Sequence, residues 1–216
     1  MILLPLRPLA ASACGLFLLA LGGCGTIASL DDASRHLDTF ELNPIEVAGV
    51  AGGGAGGATL YVAEPLATGA IASDRIVIKP DPYRVAFLPD GRWVDPAGTH
   101  VQQIITRSLS RLNRYGLVTS STSAPLPDYS LVTDLEAFQI EVAPADAPAP
   151  YRVVIRLQAA MVRESDSRII ARQRFEAAAF AANSTPGAVI PAFDVAMEQV
   201  LRGLTSWVTA TSPGGV

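Results

Sequence analysis

One thiol near the start of the chain has the sequence context that lipid attachment requires. Cys24 follows a Leu-Gly-Gly sequence, and Arg7 precedes an apolar run shorter than the roughly 20 residues of a membrane-spanning helix. Small residues leave the backbone open to a peptidase, and a thiol can carry a thioether-linked lipid. This pattern is typical of a bacterial lipoprotein signal. We therefore predict that residues 1–23 are removed and that Cys24 becomes the acylated first residue.

The residue after this cysteine indicates which of the two membranes the lipid anchor enters. Gly25 stands where an aspartate would act as an inner-membrane retention signal in enterobacteria. Two or more acyl chains, palmitate among them, give stable anchoring because each buried methylene contributes about 0.8 kcal/mol. We expect attachment to the outer membrane, on its periplasmic side. An uncleaved anchor or a plain secretory signal is the alternative.

The rest of the sequence is poor in catalytic patterns. A nucleophilic enzyme needs a serine or cysteine beside a histidine base and an orienting acid. The only histidines are His36 and His100, and there is no GxSxG elbow, no HExxH motif and no cysteine pair. We expect both histidines to be solvated. The sequence therefore predicts no enzymatic activity, no metal site and no cofactor.

The charge balance argues against nucleic acid as a partner. The formal net charge is -4, and Lys79 is the only lysine, so no basic run exists. The cysteines offer no disulfide, because Cys14 leaves with the signal and Cys24 is taken by lipid. The folded part must therefore be stable through packing.

Three residues are candidates for contact with a partner. Arg75 follows Asp74 at the entry of a strand, where adjacent side chains point to opposite faces and would not pair directly. Trp93 and Trp207 each lie at the edge of a predicted helix, and aromatic residues with a polar group are common at interfaces. The alternative is structural: Arg75 at a strand entry and both tryptophans as caps of the core.

Alternating or concentrated apolar residues predict seven strands. The predicted strands are His36–Leu42, Thr59–Val62, Arg75–Lys79, Tyr83–Leu88, Tyr129–Val142, Val153–Met161 and Arg168–Ala179. Pro80-Asp81-Pro82 indicates a turn that joins the third and fourth strands as a hairpin. The apolar phase shifts near Glu136-Ala137, which predicts a bulge or bend. In the last strand, Ile169, Ala171, Phe175 and Ala177 are expected to face the core.

Two segments have apolar residues at helical spacing. Asp95 as N-cap and the proline after it predict a first helix that continues to Gly116. Thr185 as N-cap, again followed by proline, predicts a second helix that ends at Trp207. These two helices have one apolar stripe each, so each is expected to pack on the core.

The order of elements predicts an α+β fold: a mixed, largely antiparallel β-sheet with two main helices packed on it, in a single domain. Residues 24–34 are expected to form the lipidated tether, residues 35–209 the domain and residues 210–216 a loose tail. The glycine-rich residues 48–58 match no phosphate or dinucleotide loop and predict a flexible surface loop. A free sheet edge could accept a strand from another chain, but the sequence does not say which edge is free.

Taken in order, these segments resemble the ABC-type transport auxiliary lipoproteins, the family that includes paraquat-inducible protein C. The likeness spans nearly the whole mature chain. It is carried by Cys24, Leu37-Asp38-Thr39-Phe40-Glu41-Leu42, Ser73-Asp74-Arg75-Ile76-Val77-Ile78, Val85-Ala86-Phe87-Leu88, Arg92-Trp93, Asp128-Tyr129-Ser130-Leu131 and Trp207-Val208. The chain differs from the family at Phe40-Glu41-Leu42, where a pair of aromatic residues is frequent, and in its longer glycine tract.

This resemblance implies a function without catalysis. It implies an envelope lipoprotein, with residues 35–209 as the family domain, that works beside an ABC transporter and a mammalian-cell-entry-type lipid-binding protein to help lipids cross the periplasm. The expected activity is an accessory one, exerted through protein contact between the inner and outer membranes. The alternative is an outer-membrane assembly lipoprotein that binds or plugs a β-barrel. The oligomeric state is left open.

Overall fold

Eight strands and two helices follow one another in the part of the chain that the computed structural model describes, residues 37–46 and 57–211. The strands are β1 (Asp38–Phe40), β2 (Thr59–Val62), β3 (Arg75–Asp81), β4 (Arg84–Trp93), β5 (Leu117–Thr119), β6 (Tyr129–Val142), β7 (Tyr151–Arg163) and β8 (Arg168–Ala181). The helices are α1 (Ala97–Ser110) and α2 (Pro186–Thr211), and a short 3-10 helix covers Gly69–Ala72. The fold class is α+β, as the sequence predicts.

Strand β6 organises the sheet because both of its edges are paired. On one side β7 pairs antiparallel with β6 along its whole length, and β8 pairs antiparallel with β7. On the other side β2 runs parallel to the first part of β6, and β3 runs parallel to its last part. Strand β5 extends the sheet beyond β2, whereas β4 and β1 extend it beyond β3. The predicted hairpin is the antiparallel pair of β3 and β4.

Register shifts in β6 and β8 decide which side chains of these two strands face the core. One lies between Leu135 and Ala137 in β6, where the sequence predicts a bulge. The other makes Ile170 the extra residue of β8, because Met161 pairs with Ala171 while the next residue pairs with Ile169. The expectation that Ile169 faces the core is therefore wrong: Ile169 is 44% exposed, and Ile170 packs on the core in its place.

The core lies between one face of the sheet and the two helices. The predicted alternation of β7 is confirmed, with Val153, Ile155, Leu157, Ala159 and Met161 all buried. Helix α2 packs on β7 and β8 through a buried stripe that includes Phe193, Met197, Leu201 and Leu204. Burial of each large apolar side chain contributes about 1.5–3 kcal/mol, so the contact of α2 with the sheet stabilises the fold.

The first helix differs from its prediction at both ends. Its N-cap position is Pro96, which has no side-chain cap, and the Asp95 carboxylate instead accepts a hydrogen bond from Gln103 Nε2 at 3.0 Å. The predicted Asp95 cap is therefore wrong. The helix ends at Ser110 rather than near Gly116, and Asn113, three residues later, takes a left-handed conformation with φ of 52°.

Gly116 has a different role, in the approach to a strand that sequence patterns do not reveal. Its N–H donates to the carbonyl of Ala58 at 3.0 Å, and a Cβ there would lie 2.4 Å from the Gly57 carbonyl oxygen. The absence of a side chain lets the start of β5 run close beside the segment before β2. Helix α2 also continues beyond the predicted end at Trp207, since Val208 is buried against the core.

Candidate functional site

Trp93 lies in the core rather than on the surface. At the end of β4 it is 1% exposed, and its ring is 5.0 Å from Phe138 and 4.9 Å from Phe193, between ring centroids. These contacts join β4, β6 and α2 in one aromatic cluster. The position of Trp93 favours the alternative that it caps the core, because direct contact with a partner would require the core to open.

His100 is buried beside this cluster, so the expectation of a solvated side chain is wrong. It is 1% exposed, its ring stacks on Trp93 at 5.6 Å, and its Nε2 accepts a hydrogen bond from the Leu42 N–H at 3.2 Å. Burial lowers the pKa of His100, and the carboxylates of Glu41 and Asp95 only partly oppose that effect. The imidazole is therefore a neutral acceptor. It faces inward because Ala97 and Val101 of the same helical turns pack on the core.

The segment Glu41–Glu46, which we call the strap, forms hydrogen bonds and an ion pair with side chains of both helices. Besides the bond to His100, the Ile45 N–H donates to Ser108 Oγ at 3.3 Å, and the Asn43 N–H donates to Asp194 Oδ1 at 3.0 Å. Arg107 forms an ion pair with Glu41 at 2.8 Å. The strap thereby links the start of the described chain to the centre of the domain.

Arg75 points to the face of the sheet opposite the helices, which we call the outer face. Its guanidinium carbon lies 5.2 Å from the centroid of the Phe87 ring, and its Nε is buried without a hydrogen-bond partner within the described ranges. Its neighbour Asp74 pairs instead with Arg92 at 3.6 Å. The two adjacent residues therefore do not pair with each other, as strand geometry predicts.

Three cross-strand ion pairs cover much of the outer face. Arg152 contacts Glu141 at 2.7 Å, and Arg156 contacts Glu176 at 2.9 Å. A third pair joins Arg174 of β8 to Glu136 of β6 at 2.9 Å. Exposed pairs of this kind contribute only about 0.2–1 kcal/mol each, but they fix the long side chains in place.

The ionisation of two of these acids follows from the pairs. Burial raises the pKa of Glu141, but hydrogen bonds from Gln139 and Arg152 outweigh it, so the pKa lies below its usual value. The hydrogen bond from Arg156 likewise lowers the pKa of Glu176. Both carboxylates are thus charged at neutral pH and engaged by arginine, which leaves neither placed as a general acid or base.

A polar cleft of about 420 Å³ opens at one end of the outer face. It lies between the turn of the β3–β4 hairpin and strands β6 and β7, and Lys79, Gln139, Arg152 and Arg156 are among its lining residues. Lys79 forms no ion pair with any residue that the structure describes. It is the one lysine of the chain, and its register partner is Glu141.

Trp207 lies beside the edge strand β8. It is half-buried on α2, and its ring meets Phe175 edge to face at 5.9 Å. One turn earlier, a Cβ on Gly203 would be 3.1 Å from the same phenylalanine, so the helix approaches the strand closely here. Trp207 therefore combines a contact with β8 and an accessible surface.

The free edge of β8 is the surface feature that sequence reasoning did not locate. Among the described strands β8 pairs with β7 alone, so the other side of its 14 residues has no strand partner there. One signal for it exists in the sequence: β8 is the last predicted strand, and a helix follows it. The order of strands in the sheet is nonetheless a tertiary property.

The three predicted partner-binding residues do not form one site. Trp93 is in the core, Arg75 is on the outer face and Trp207 is beside the β8 edge. Cys24 lies outside the described residues. Within the described ranges, no group of three His, Cys, Asp or Glu residues is placed to hold a metal ion, and no helix is both long and apolar enough to cross a membrane.

Fold and surface together define an α+β module with ion pairs on its outer face and, within the described ranges, a free edge along the 14 residues of β8. The chain matches the model of the ABC-type transport auxiliary lipoprotein component over residues 40–204 and belongs to that family. The family places it at the cell envelope as an auxiliary lipoprotein of ABC-type transport. This agrees with the resemblance found in the sequence.

Solved structures share the fold. One is a crystal structure of a protein from Xanthomonas campestris, 23% identical, with a TM-score of 0.66 over 82% of this chain and 96% of that one. Another is an uncharacterized protein, 13% identical, with a TM-score of 0.60 over 81% of this chain and 99% of that one. A comparison with curated proteins finds no sequence match.

Proposed function

We propose that the protein is a non-catalytic accessory of an ABC-type lipid transport system between the inner and outer membranes. In this proposal it is anchored through lipid on Cys24 in the outer membrane and contacts a mammalian-cell-entry-type lipid-binding protein of that system. The observation that carries the proposal is the family match over residues 40–204, which begins in β1 and ends in α2. The family supports the association with ABC-type transport, and the lipid cargo and the partner are our refinement.

The surface chemistry supports a role in contact. Three acids of the outer face, Glu136, Glu141 and Glu176, are each paired with an arginine, so this face presents an ordered set of ion pairs. We propose Arg75 and Trp207 as direct contacts, because each has a polar or aromatic group at or near an open surface. Trp93 acts indirectly in this proposal, by holding β4 against α2 through the aromatic cluster.

Crosslinking in the native envelope tests the partner. A photoreactive amino acid is placed at Arg172 on the exposed part of β8, and a control carries it at Asp146 in the loop between β6 and β7. After purification through a tag following Val216, mass spectrometry should identify a mammalian-cell-entry-type protein or an ABC transporter subunit from the first site. Capture of a β-barrel protein instead would contradict the proposal and favour the assembly alternative.

The anchor has a separate test. Cys24→Ser removes the thiol that carries the lipid, so labelled palmitate should no longer be incorporated and the precursor should remain uncleaved. The matched control is Cys14→Ser, which changes the other cysteine and should leave labelling intact. Incorporation of label in the Cys24→Ser protein would refute lipidation at this position.

A further inference from the structure

The edge of β8 exposes a long row of backbone groups without partners. In an antiparallel strand, successive residues direct their N–H and C=O groups alternately to the two sides. One side of β8 is bonded to β7 from Arg168 to Ala181, and no backbone bond to the other side occurs within the described ranges. About half of the residues of β8 therefore direct their backbone groups away from β7, toward the side that has no strand partner in the described part of the chain. Such an edge is a template for an added strand.

The second half of β8 lacks the features that usually protect an edge. The segment Phe175–Ala181 contains no lysine, arginine or proline, and its single acid, Glu176, is held by Arg156. The register shift of this ladder lies before it, at Ile170, so the edge is regular along the whole segment. Phe180 is 46% exposed. This half offers apolar contact to a segment laid beside it.

The first half of β8 is basic, although the chain as a whole is acidic. Arg172 is exposed and has no ion pair within the described ranges, whereas Arg174 is paired with Glu136. An acidic side chain on an added strand would meet Arg172 at cross-strand distance. The single acid of β8 is Glu176, and antiparallel pairing that set Glu176 of a second copy opposite Arg172 would also set Arg174 opposite its own copy, a contact between like charges. Charge therefore favours an acidic segment over a second copy of this chain.

Trp207 completes the surface on the side of the helices. Its contact with Phe175 places an aromatic ring beside the free edge, at the level where the basic half of β8 passes into the apolar half. Side chains of an added strand that point toward α2 would lie next to this ring. Apolar residues suit that position, because further burial of a half-buried aromatic ring lowers the free energy of the complex.

We infer that the free edge of β8 binds an extended peptide segment as an additional strand, with acidic residues beside Arg172 and apolar residues beside Phe175–Ala181 and Trp207. Backbone hydrogen bonds supply much of the affinity, and the alternating side chains supply specificity. The identity of the protein that carries the segment rests on the proposed function, whereas the chemistry of the segment rests on the edge alone.

Selection from a displayed library of random peptides of about ten residues, the length of an ordinary strand, tests the chemistry directly. The target is the full lipidated chain in detergent. Enriched peptides should alternate in hydropathy and carry Asp or Glu toward one end. Arg172→Glu should weaken their binding about tenfold, since a favourable charge contact becomes repulsive. Lys79→Glu is the matched control: it changes the net charge equally but lies on β3, and it should leave binding unchanged.

Proline tests the backbone contribution. Of the neighbours Ala178 and Ala179, one directs its N–H to β7 and the other to the free edge. Ala178→Pro and Ala179→Pro each remove one of these N–H groups. Loss of the group that bonds to β7 should lower the melting temperature, whereas loss of the group at the free edge should leave it unchanged. The variant with the unchanged melting temperature should bind the selected peptides more weakly. In wild type, peptide binding should slow hydrogen exchange along β8.

Three outcomes would overturn the inference. One is a library selection with no enrichment, another is equal peptide binding by wild type and Arg172→Glu, and a third is sedimentation that shows β8-dependent self-association in place of peptide binding. The outcomes are separable from those of the envelope experiment. Peptide binding at β8 without a transport partner in the envelope would refute the proposed function alone.

Discussion

At the scale of the residue, His100 makes the domain sensitive to pH. Its pKa is lowered by burial in the folded state, while the ordinary value in the unfolded chain is 6.5. Below that value the unfolded state binds more protons, so stability is complete above pH 6.5 and falls as the pH decreases through the interval below it. Protonation would also remove the acceptor that Nε2 presents to the Leu42 N–H.

The corresponding experiment is a set of melting curves between pH 7.5 and 5. Wild type should lose stability across this interval, whereas His100→Gln, which can still accept a hydrogen bond, should show a flatter profile. The acids with lowered pKa values, including Glu141 and Glu176, contribute stability that is lost only at lower pH, near and below their ordinary value of 4.5. Identical profiles for the two proteins would show that His100 does not cause the loss.

Two tryptophans with different burial should respond differently to truncation. Trp93→Ala should lower the free energy of unfolding by about 3–5 kcal/mol, because it leaves a cavity among Phe138 and Phe193. Trp207→Ala should cost less, since its ring is only half-buried. Urea denaturation of both variants provides the comparison. A larger loss for Trp207 would contradict the assignment of Trp93 to the core and of Trp207 to a surface.

At the scale of the element, Gly116 controls how closely two chain segments approach. Gly116→Ala would place a Cβ 2.4 Å from the Gly57 carbonyl oxygen, which forces the backbone to move and should lower stability by about 1–3 kcal/mol. Gly187→Ala in α2 is the control, because no atom lies within 4 Å of its added Cβ. Its melting temperature should stay the same or rise. Equal stability of Gly116→Ala and wild type would refute the close approach.

Some strands and helices could be predicted from their own residues, and others could not. The β3–β4 hairpin and the alternation of β7 follow from local patterns, since a turn and a period of two involve near neighbours. The bulge in β6 was predicted from the sequence, because the alternation of apolar residues shifts by one position near Glu136-Ala137. The Asp95 cap and the inward Ile169 were not predictable in this way: the Asp95 carboxylate bonds to the side chain of Gln103 instead of the helix backbone, and the pairing with β7 turns Ile169 outward.

At the scale of the whole molecule, Leu37–Val216 cluster as one compact unit. We expect a chain of residues 37–216, without signal, cysteine and tether, to fold with the melting temperature of the lipidated protein, because the core residues and strap contacts that the structure describes all lie within it. It should no longer sediment with membranes. Circular dichroism on heating and membrane fractionation measure the two properties. An unfolded fragment would show that the preceding residues are needed for folding.

The sequence by itself determined most of the local elements, the α+β class and the family resemblance, because hydrophobic periods, turns and ordered motifs are short-range properties of the chain. It also carries the lipid-attachment pattern at Cys24. Only the tertiary structure decided that His100 is buried, that Trp93, Arg75 and Trp207 lie in three different places, and that β8 has the long free edge. Each of these depends on which distant strands pair and which helix face meets the sheet, and contacts of that kind are set by the packing of the whole domain.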